Sequence, residues 1–206
     1  MYLFSSSPTK LKNRWGPWPA SIYEGLENED VATQRPVGAI DDIYIAVVVG
    51  YIDGKGKRFA EAGPTLVENG DRILAGSIKI EADDIPTILE KDIFLPLMLH
   101  EIAHVLGLGT LWKDGVQIDG TTYIGENALE AWREMGCTGD LPLESKEEKT
   151  HWKEECLVTE VFTPKLQFNR AAHISSVTLG ALEGMYCPID FDLIAKLTCC
   201  SSQCSF

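Results

Sequence analysis

The sequence predicts an α+β fold, and three features support that prediction. Two runs rich in Val and Ile lie in the first half with turn residues between them, which favours a sheet. An apolar stretch with helical character follows them. The second half is loop-like apart from two short helical patterns. We expect a single domain over residues 1–206, with an N-terminal lobe of about 1–110 and a loop-rich C-terminal lobe of about 111–206.

The predicted strands are "IYIAVVVGY", residues 43–51, and "RILAGSIKIEA", residues 72–82. The sequence "DGKG" after the first of them is typical of a hairpin turn. Together they predict a twisted mixed sheet in the N-terminal lobe. Nearby carboxylates could be imagined as a calcium cluster, but acidic residues at turns and strand edges are the commoner explanation. These carboxylates belong to Asp53, Glu81, Asp83 and Asp84.

One longer helix and two shorter ones are predicted. Pro96 suits the first turn of a helix, and Gly107 and Gly109 suit its end, so we expect about three turns between them. Apolar residues surround the polar positions of this stretch, which predicts a helix buried on most sides. A second helix is expected over residues 126–136, and a third, opened by one of its first two serines, over residues 175–185.

The chain is acidic, with 18 Lys and Arg against 31 Asp and Glu and a net charge of −13. This charge disfavours binding to nucleic acids and to anionic membranes. No apolar stretch is long and uncharged enough for a membrane span, and the first residues lack the pattern of a secretory signal. An even number of cysteines in one half is typical of disulfides, so we expect a protein that is secreted or at the cell surface. We also expect a monomer. The cysteines are Cys137, Cys156, Cys187, Cys199, Cys200 and Cys204.

The segment "HEIAHVLGLGTLW", residues 100–112, has the composition of a zinc site. His100 and His104 share one face of a helix, so both imidazoles can bind one ion. Glu101 lies beside them and can reach a water on that ion. Left unpaired and buried, these three side chains would cost several kcal/mol, and a metal accounts for all of them. We therefore predict catalytic Zn²⁺ with a bound water that Glu101 deprotonates.

Catalytic zinc usually has three protein ligands, and this segment supplies two. Glu126 or Glu130, on the second predicted helix, would complete a site with a glutamate as third ligand. His151 or His173 would instead complete a three-histidine site. The residue types alone leave these alternatives open.

Gly107 lies three residues after His104, and this spacing resembles that of the metzincin peptidases. In those enzymes the helix stops at the glycine, and a third histidine follows three residues later. That later position is Thr110 in this chain. The leishmanolysin family delays its third histidine by an inserted segment. Several blocks over most of the chain resemble that family in order, and especially the shorter leishmanolysin-like proteins. The blocks are "DDIYIAVVVGYIDGKG", "AEAGPTL", "AGSIKIEADDI", "LHEIAHVLGLGTLW", "YIGENALEAWREMG", "HWKEECLVTEVFTP" and "ISSVTLGALEGMY".

The resemblance implies a metzincin-like fold with one zinc ion held by His100, His104 and His151. In the family, tryptophan follows the delayed histidine, and a Glu-Leu-Met turn comes shortly after it. The segment "HWKEECLVTEVF" of this chain has the same pattern with one departure. The methionine that forms an apolar floor beneath the metal is replaced by Phe162, which is larger and stiffer. The resemblance assigns no role to His173. It also implies a pro-segment and a secreted or surface-anchored location.

We therefore expect a zinc-dependent endopeptidase that acts on a peptide or protein substrate, with Glu101 as general base. The strand "GSIKIEA", residues 76–82, is a candidate edge for pairing with an extended substrate, and equally a candidate interior strand. Two alternatives remain. One is a catalytically inactive, secreted binding or adhesion module that keeps zinc for stability, which Phe162 favours. The other is a zinc peptidase with a glutamate as third ligand.

Overall fold

A computed structural model describes residues 43–70, 72–145, 149–166, 168 and 171–185. The prediction of an α+β fold is confirmed. Within these ranges, no helix is long and apolar enough to cross a lipid bilayer. The elements are β1 (Tyr44–Gly50), β2 (Ala60–Glu68), β3 (Arg72–Glu81), a 3-10 helix (Ala82–Asp84), α1 (Ile85–Glu90), α2 (Phe94–Val105), β4 (Ile118–Asp119), β5 (Thr122–Tyr123), α3 (Glu126–Glu134), β6 (Leu141–Pro142) and α4 (Ser176–Glu183).

The first three strands form a mixed sheet in the order β1-β3-β2. The prediction of a mixed sheet is confirmed. β1 runs parallel to β3, and β2 runs antiparallel to it. The strand "GSIKIEA" belongs to β3, which has a partner on each side. The suggestion that it is a substrate-binding edge is therefore wrong, because all its pairing groups face neighbouring strands. Three two-residue strands, β4, β5 and β6, form a separate antiparallel sheet.

The prediction of a hairpin turn at "DGKG", residues 53–56, is also wrong. β1 and β2 are not neighbours, so this loop carries the chain across to the far side of β3. The hairpin joins β2 to β3, and its turn contains Asn69 and Gly70 with positive φ angles of 57° and 84°. β2 was not predicted from the sequence, because it contains Gly63 and Pro64 and both residue types are depleted in strands. Pro64 is tolerated here beside a register shift on the edge of the sheet.

Two carboxylates hold the loop that follows β1. The buried side chain of Glu81 accepts hydrogen bonds at 2.8–2.9 Å from the backbone N–H groups of residues 52–54. Asp84 accepts one from Gly56 N at 2.9 Å. The charge of each carboxylate is thus stabilised by backbone donors. These two acidic residues therefore act as acceptors for the loop, and the expectation that they lie at a solvated edge is wrong, because both are buried.

Helix α2 lies between two groups of buried apolar residues. It packs against the first sheet, where Leu97 and Val105 join a cluster with residues of β2, β3 and α1. Ala103, on another face, joins a second cluster built by the C-terminal half of the chain. In that cluster Ala128 and Trp132 bury one face of α3. Because apolar groups pack on both sides, the polar side chains of α2 are removed from bulk water.

Two cysteines belong to the second cluster. Cys137 and Cys156 are buried, and both are disulfide-bonded. The other four cysteines lie outside the described residues.

Acidification should weaken the fold through Glu81. The hydrogen bond from Gly54 and those from neighbouring backbone groups lower the pKa of Glu81 from 4.5 to about 2, although burial acts to raise it. Its contribution to stability is complete above pH 4.5 and is lost as the pH falls towards 2. We expect Glu81→Gln to lower the urea midpoint at pH 7 and to flatten its fall between pH 4.5 and about 2. An acid dependence equal to that of the exposed control Glu134→Gln would contradict this assignment.

Candidate metal centre

Three polar side chains of α2 lie close together in the interior. His100, Glu101 and His104 are only 9%, 4% and 8% exposed. One helical turn separates the histidines, and their ring centroids are 4.8 Å apart. The spacing in the sequence therefore places both imidazoles on the face that points towards the C-terminal half.

The outer nitrogen of each α2 histidine has a backbone partner. His100 Nδ1 donates to the carbonyl of Val161 at 2.8 Å, and His104 Nδ1 donates to that of Leu108 at 3.0 Å. A carbonyl oxygen only accepts, so both Nδ1 atoms carry the proton. Each Nε2 atom then presents its lone pair for binding a metal.

The end of α2 supplies one of these carbonyls. Gly107 has a positive φ of 96°, and the chain turns back so that Leu108 N donates to Ala103 O at 3.0 Å. This turn brings the Leu108 carbonyl to His104. Thr110, at the place where most metzincins have a histidine, donates its hydroxyl to His104 O at 2.8 Å. It closes the end of the helix and is not a member of the histidine group.

His151 comes from a distant loop and completes a three-histidine group. Its Nε2 lies 3.1 Å from the Nε2 atoms of both His100 and His104. Two nitrogens at zinc-ligand distance from one tetrahedral ion would lie roughly 3.3 Å apart. The three side chains form a group that could hold a metal ion, and it is the one such group in the described part of the chain.

The remaining ligand candidates lie elsewhere. Glu126 is exposed and pairs with Arg133, and Glu130 is exposed on the same helix. His173 takes part in backbone hydrogen bonds beside residues 159–161. The structure therefore groups His151 with the α2 histidines and leaves the other three candidates outside that group.

Phe162 forms an apolar surface against all three imidazoles. It is fully buried, and its ring centroid is 5.3 Å from that of His100, 4.9 Å from that of His104 and 5.5 Å from that of His151. The structure thus shows an apolar ring against the histidine group, whereas the equivalence of Phe162 to the methionine of that family stays a prediction. Its ring excludes water from one side of the histidine group.

Burial favours the neutral form of every histidine in the group. It lowers the pKa of His100 to about 4, with a further contribution from His104. It also lowers the pKa of His104 and, together with the other two histidines, lowers that of His151 to about 2. Neutral imidazole is the form that binds metals, so the three histidines can bind a cation at neutral pH without first losing a proton.

Glu101 has an unusual environment for a carboxyl group. Its Oε2 atom is buried and has no hydrogen-bond partner among the described residues. Burial and the charge of Glu61 raise the pKa of Glu101 to about 8, while Arg58 opposes the shift. A buried carboxyl oxygen with no partner, on the helix that carries two of the three histidines, marks a candidate functional group, since leaving it unpaired costs free energy.

Gly109 brings the end of α2 close to the loop that carries His151. The sequence indicated only that this glycine suits the end of a helix. In the structure its φ is 69°, and a Cβ atom there would lie 2.2 Å from the carbonyl oxygen of Thr150. A side chain at this position would therefore push away the backbone immediately before His151.

Gly109→Ala should weaken metal binding by displacing His151. Gly136→Ala is a matched control, because Gly136 has a similar φ of 83° and a Cβ there would meet nothing within 4 Å. We expect Gly109→Ala to raise the Kd for Zn²⁺, measured by competition with a chelator, about tenfold or more above that of the control. Equal affinities would show that this close approach does not position His151.

Comparison with known proteins adds no family assignment to this geometry. The sequence matches no protein-family model, and no curated protein is significantly similar to it.

Proposed function

We propose that the protein is a zinc-dependent endopeptidase of the leishmanolysin-like, metzincin type. The observation that carries the proposal is the convergence of three imidazole nitrogen ligands, two of them on a helix whose Glu101 directly follows His100 and is buried. Three neutral nitrogen donors suit Zn²⁺, and the two 3.1 Å separations fit ligands of a tetrahedral ion. The order of the sequence blocks that resemble the family supports the same assignment.

The chemistry follows from the residues around the centre. A bound zinc ion would polarise a scissile carbonyl and make a water acidic near neutral pH. Glu101 would accept the proton of the attacking water and pass it to the leaving amine. Its unpaired Oε2 supports this role, because that atom is not committed to another donor of the described chain. A cation nearby favours the charged form of a carboxyl, so metal binding would prepare Glu101 to act as a base.

The substrate is proposed to be an extended segment of a peptide or protein. Since β3 is interior, we assign substrate pairing to β2, which is an edge strand of the sheet formed by the described residues and packs against α2. A Cβ at Gly63 of this strand would lie 3.9 Å from the side chain of Thr110, which follows the histidine helix. The edge of β2 therefore runs past the end of α2. We also propose secretion or cell-surface location, for which the disulfide-bonded Cys137 and Cys156 are the structural support.

The main rival is a catalytically inactive zinc-binding module of the same fold. Phe162 was its support in the sequence, because the ring is bulkier than methionine. In the structure this ring contacts all three imidazoles while their Nε2 atoms still converge. The substitution therefore supplies no argument against a metal-binding geometry. The unpaired carboxyl of Glu101 favours the enzyme, since a purely structural zinc site has no need of it.

Glu101→Gln separates these two functions. The variant should keep one zinc ion per chain, because Glu101 is not a proposed ligand, and should lose about 100-fold or more of the cleavage rate. Zinc is measured by elemental analysis and cleavage on an unfolded protein, with Glu134→Gln as an exposed control. If the wild type, refolded under oxidising conditions and loaded with zinc, cleaves no member of a broad peptide library, the inactive module becomes the better explanation.

His151→Ala tests the third ligand. Removing one of three nitrogen donors should weaken Zn²⁺ binding by more than about tenfold. Glu126→Gln and Glu130→Gln should bind as the wild type does, because both side chains are exposed on α3. Titration with a competing chelator provides all four affinities. A glutamate ligand would be indicated if one of these two variants lost affinity and His151→Ala retained it.

A further inference from the structure

A second buried carboxylate, that of Glu160, lies behind the histidine group and has no part in the proposed chemistry. It is 4% exposed. Its Oε1 accepts hydrogen bonds from Ser175 N at 2.9 Å, Ser175 Oγ at 3.2 Å and Thr178 Oγ1 at 2.7 Å. Its Oε2 accepts one from Phe162 N. Four donors around one carboxylate offset much of the cost of burying it.

The bond to Phe162 N closes a short turn around Val161. The carbonyl of Val161 is the acceptor for His100 Nδ1 at 2.8 Å, and its N–H donates to His173 O at 2.8 Å. Glu160 thereby determines the direction of the carbonyl that orients His100. The same turn places the ring of Phe162 against the imidazoles.

A second path runs from Glu160 to the loop of His151. The indole N–H of Trp152 donates to Thr178 Oγ1 at 2.8 Å, and that hydroxyl donates to Glu160 Oε1 at 2.7 Å. Trp152 is fully buried and directly follows His151. Its indole position, which depends on Thr178, therefore restricts the backbone of the third ligand.

We propose that Glu160 is a positioning residue of the metal centre, which holds the carbonyl that orients His100 and, through Thr178, the tryptophan beside His151. The proposal depends on metal binding by the three histidines and not on peptide hydrolysis. Mutation of an outer hydrogen-bond partner of a metal-ligating histidine typically lowers metal affinity 10- to 100-fold. Here one carboxylate is linked by hydrogen bonds to groups that position two of the three histidines, His100 and His151.

Variants of Thr178 test the proposal without removing the buried charge. Thr178→Val has nearly the same shape but lacks the hydroxyl, and Thr178→Ser keeps it. We expect Thr178→Val to raise the Kd for Zn²⁺ about tenfold and to alter the visible absorption spectrum of bound Co²⁺. Thr178→Ser should stay within about twofold of the wild type and keep its spectrum. Val177→Ala, at a fully buried neighbour on α4, controls for general loosening and should lower Tm without changing metal affinity.

Glu160→Gln replaces one accepting oxygen by an N–H₂ group and should weaken Zn²⁺ binding at least as much as Thr178→Val. If the wild type itself fails to bind Zn²⁺, the proposed function and this inference both fail. If the wild type binds but Thr178→Val matches it in affinity and Co²⁺ spectrum, only the positioning role is overturned. Equal losses in Val177→Ala and Thr178→Val would also overturn it, because loosening of the core would then explain both.

Discussion

The hydrogen bond from His100 Nδ1 to the carbonyl of Val161 joins two residues that are 61 positions apart in the chain. The helix that carries His100 packs on the first sheet, whereas the turn around Val161 belongs to the C-terminal half. The histidine can present Nε2 to a metal only while this turn stays in place. Phe162 and the bonds of Glu160 belong to the same turn. The apolar ring against the histidines and the hydrogen bonds that hold the Val161 carbonyl therefore depend on one short segment.

The two buried carboxyl groups of this region differ in the donors that surround them. Glu160 has four, which offset part of the cost of burying it, although burial still raises its pKa. Glu101 has an oxygen with no partner among the described residues, and its burial is otherwise uncompensated. A fully bonded carboxylate is suited to hold other groups in place, whereas an uncommitted one is suited to exchange a proton. The surroundings, and not the residue type, separate their proposed roles.

Local patterns predicted three of the four α-helices among the described residues and missed α1. Pro96 and the glycines after His104 bracket α2, and Ser175 caps α4 by accepting a hydrogen bond from Thr178 N. The strands were predicted less well. β2 was missed because glycine and proline interrupt its pattern, and the hairpin was placed after the wrong strand. Strand order depends on contacts between distant segments, which a local pattern of turn residues does not record.

The sequence by itself determined that α2 presents two histidines together, because a spacing of four residues on a helix places His100 and His104 on one face. It left several candidates for the third ligand until a family resemblance selected His151. Only the tertiary structure decided which side chain reaches the other two, since a loop 47 residues beyond His104 must be brought back by packing. The close approach of Gly109 to Thr150 and the link from the turn of Glu160 to His100 through Val161 were likewise decided there, because both join segments that are far apart in the chain.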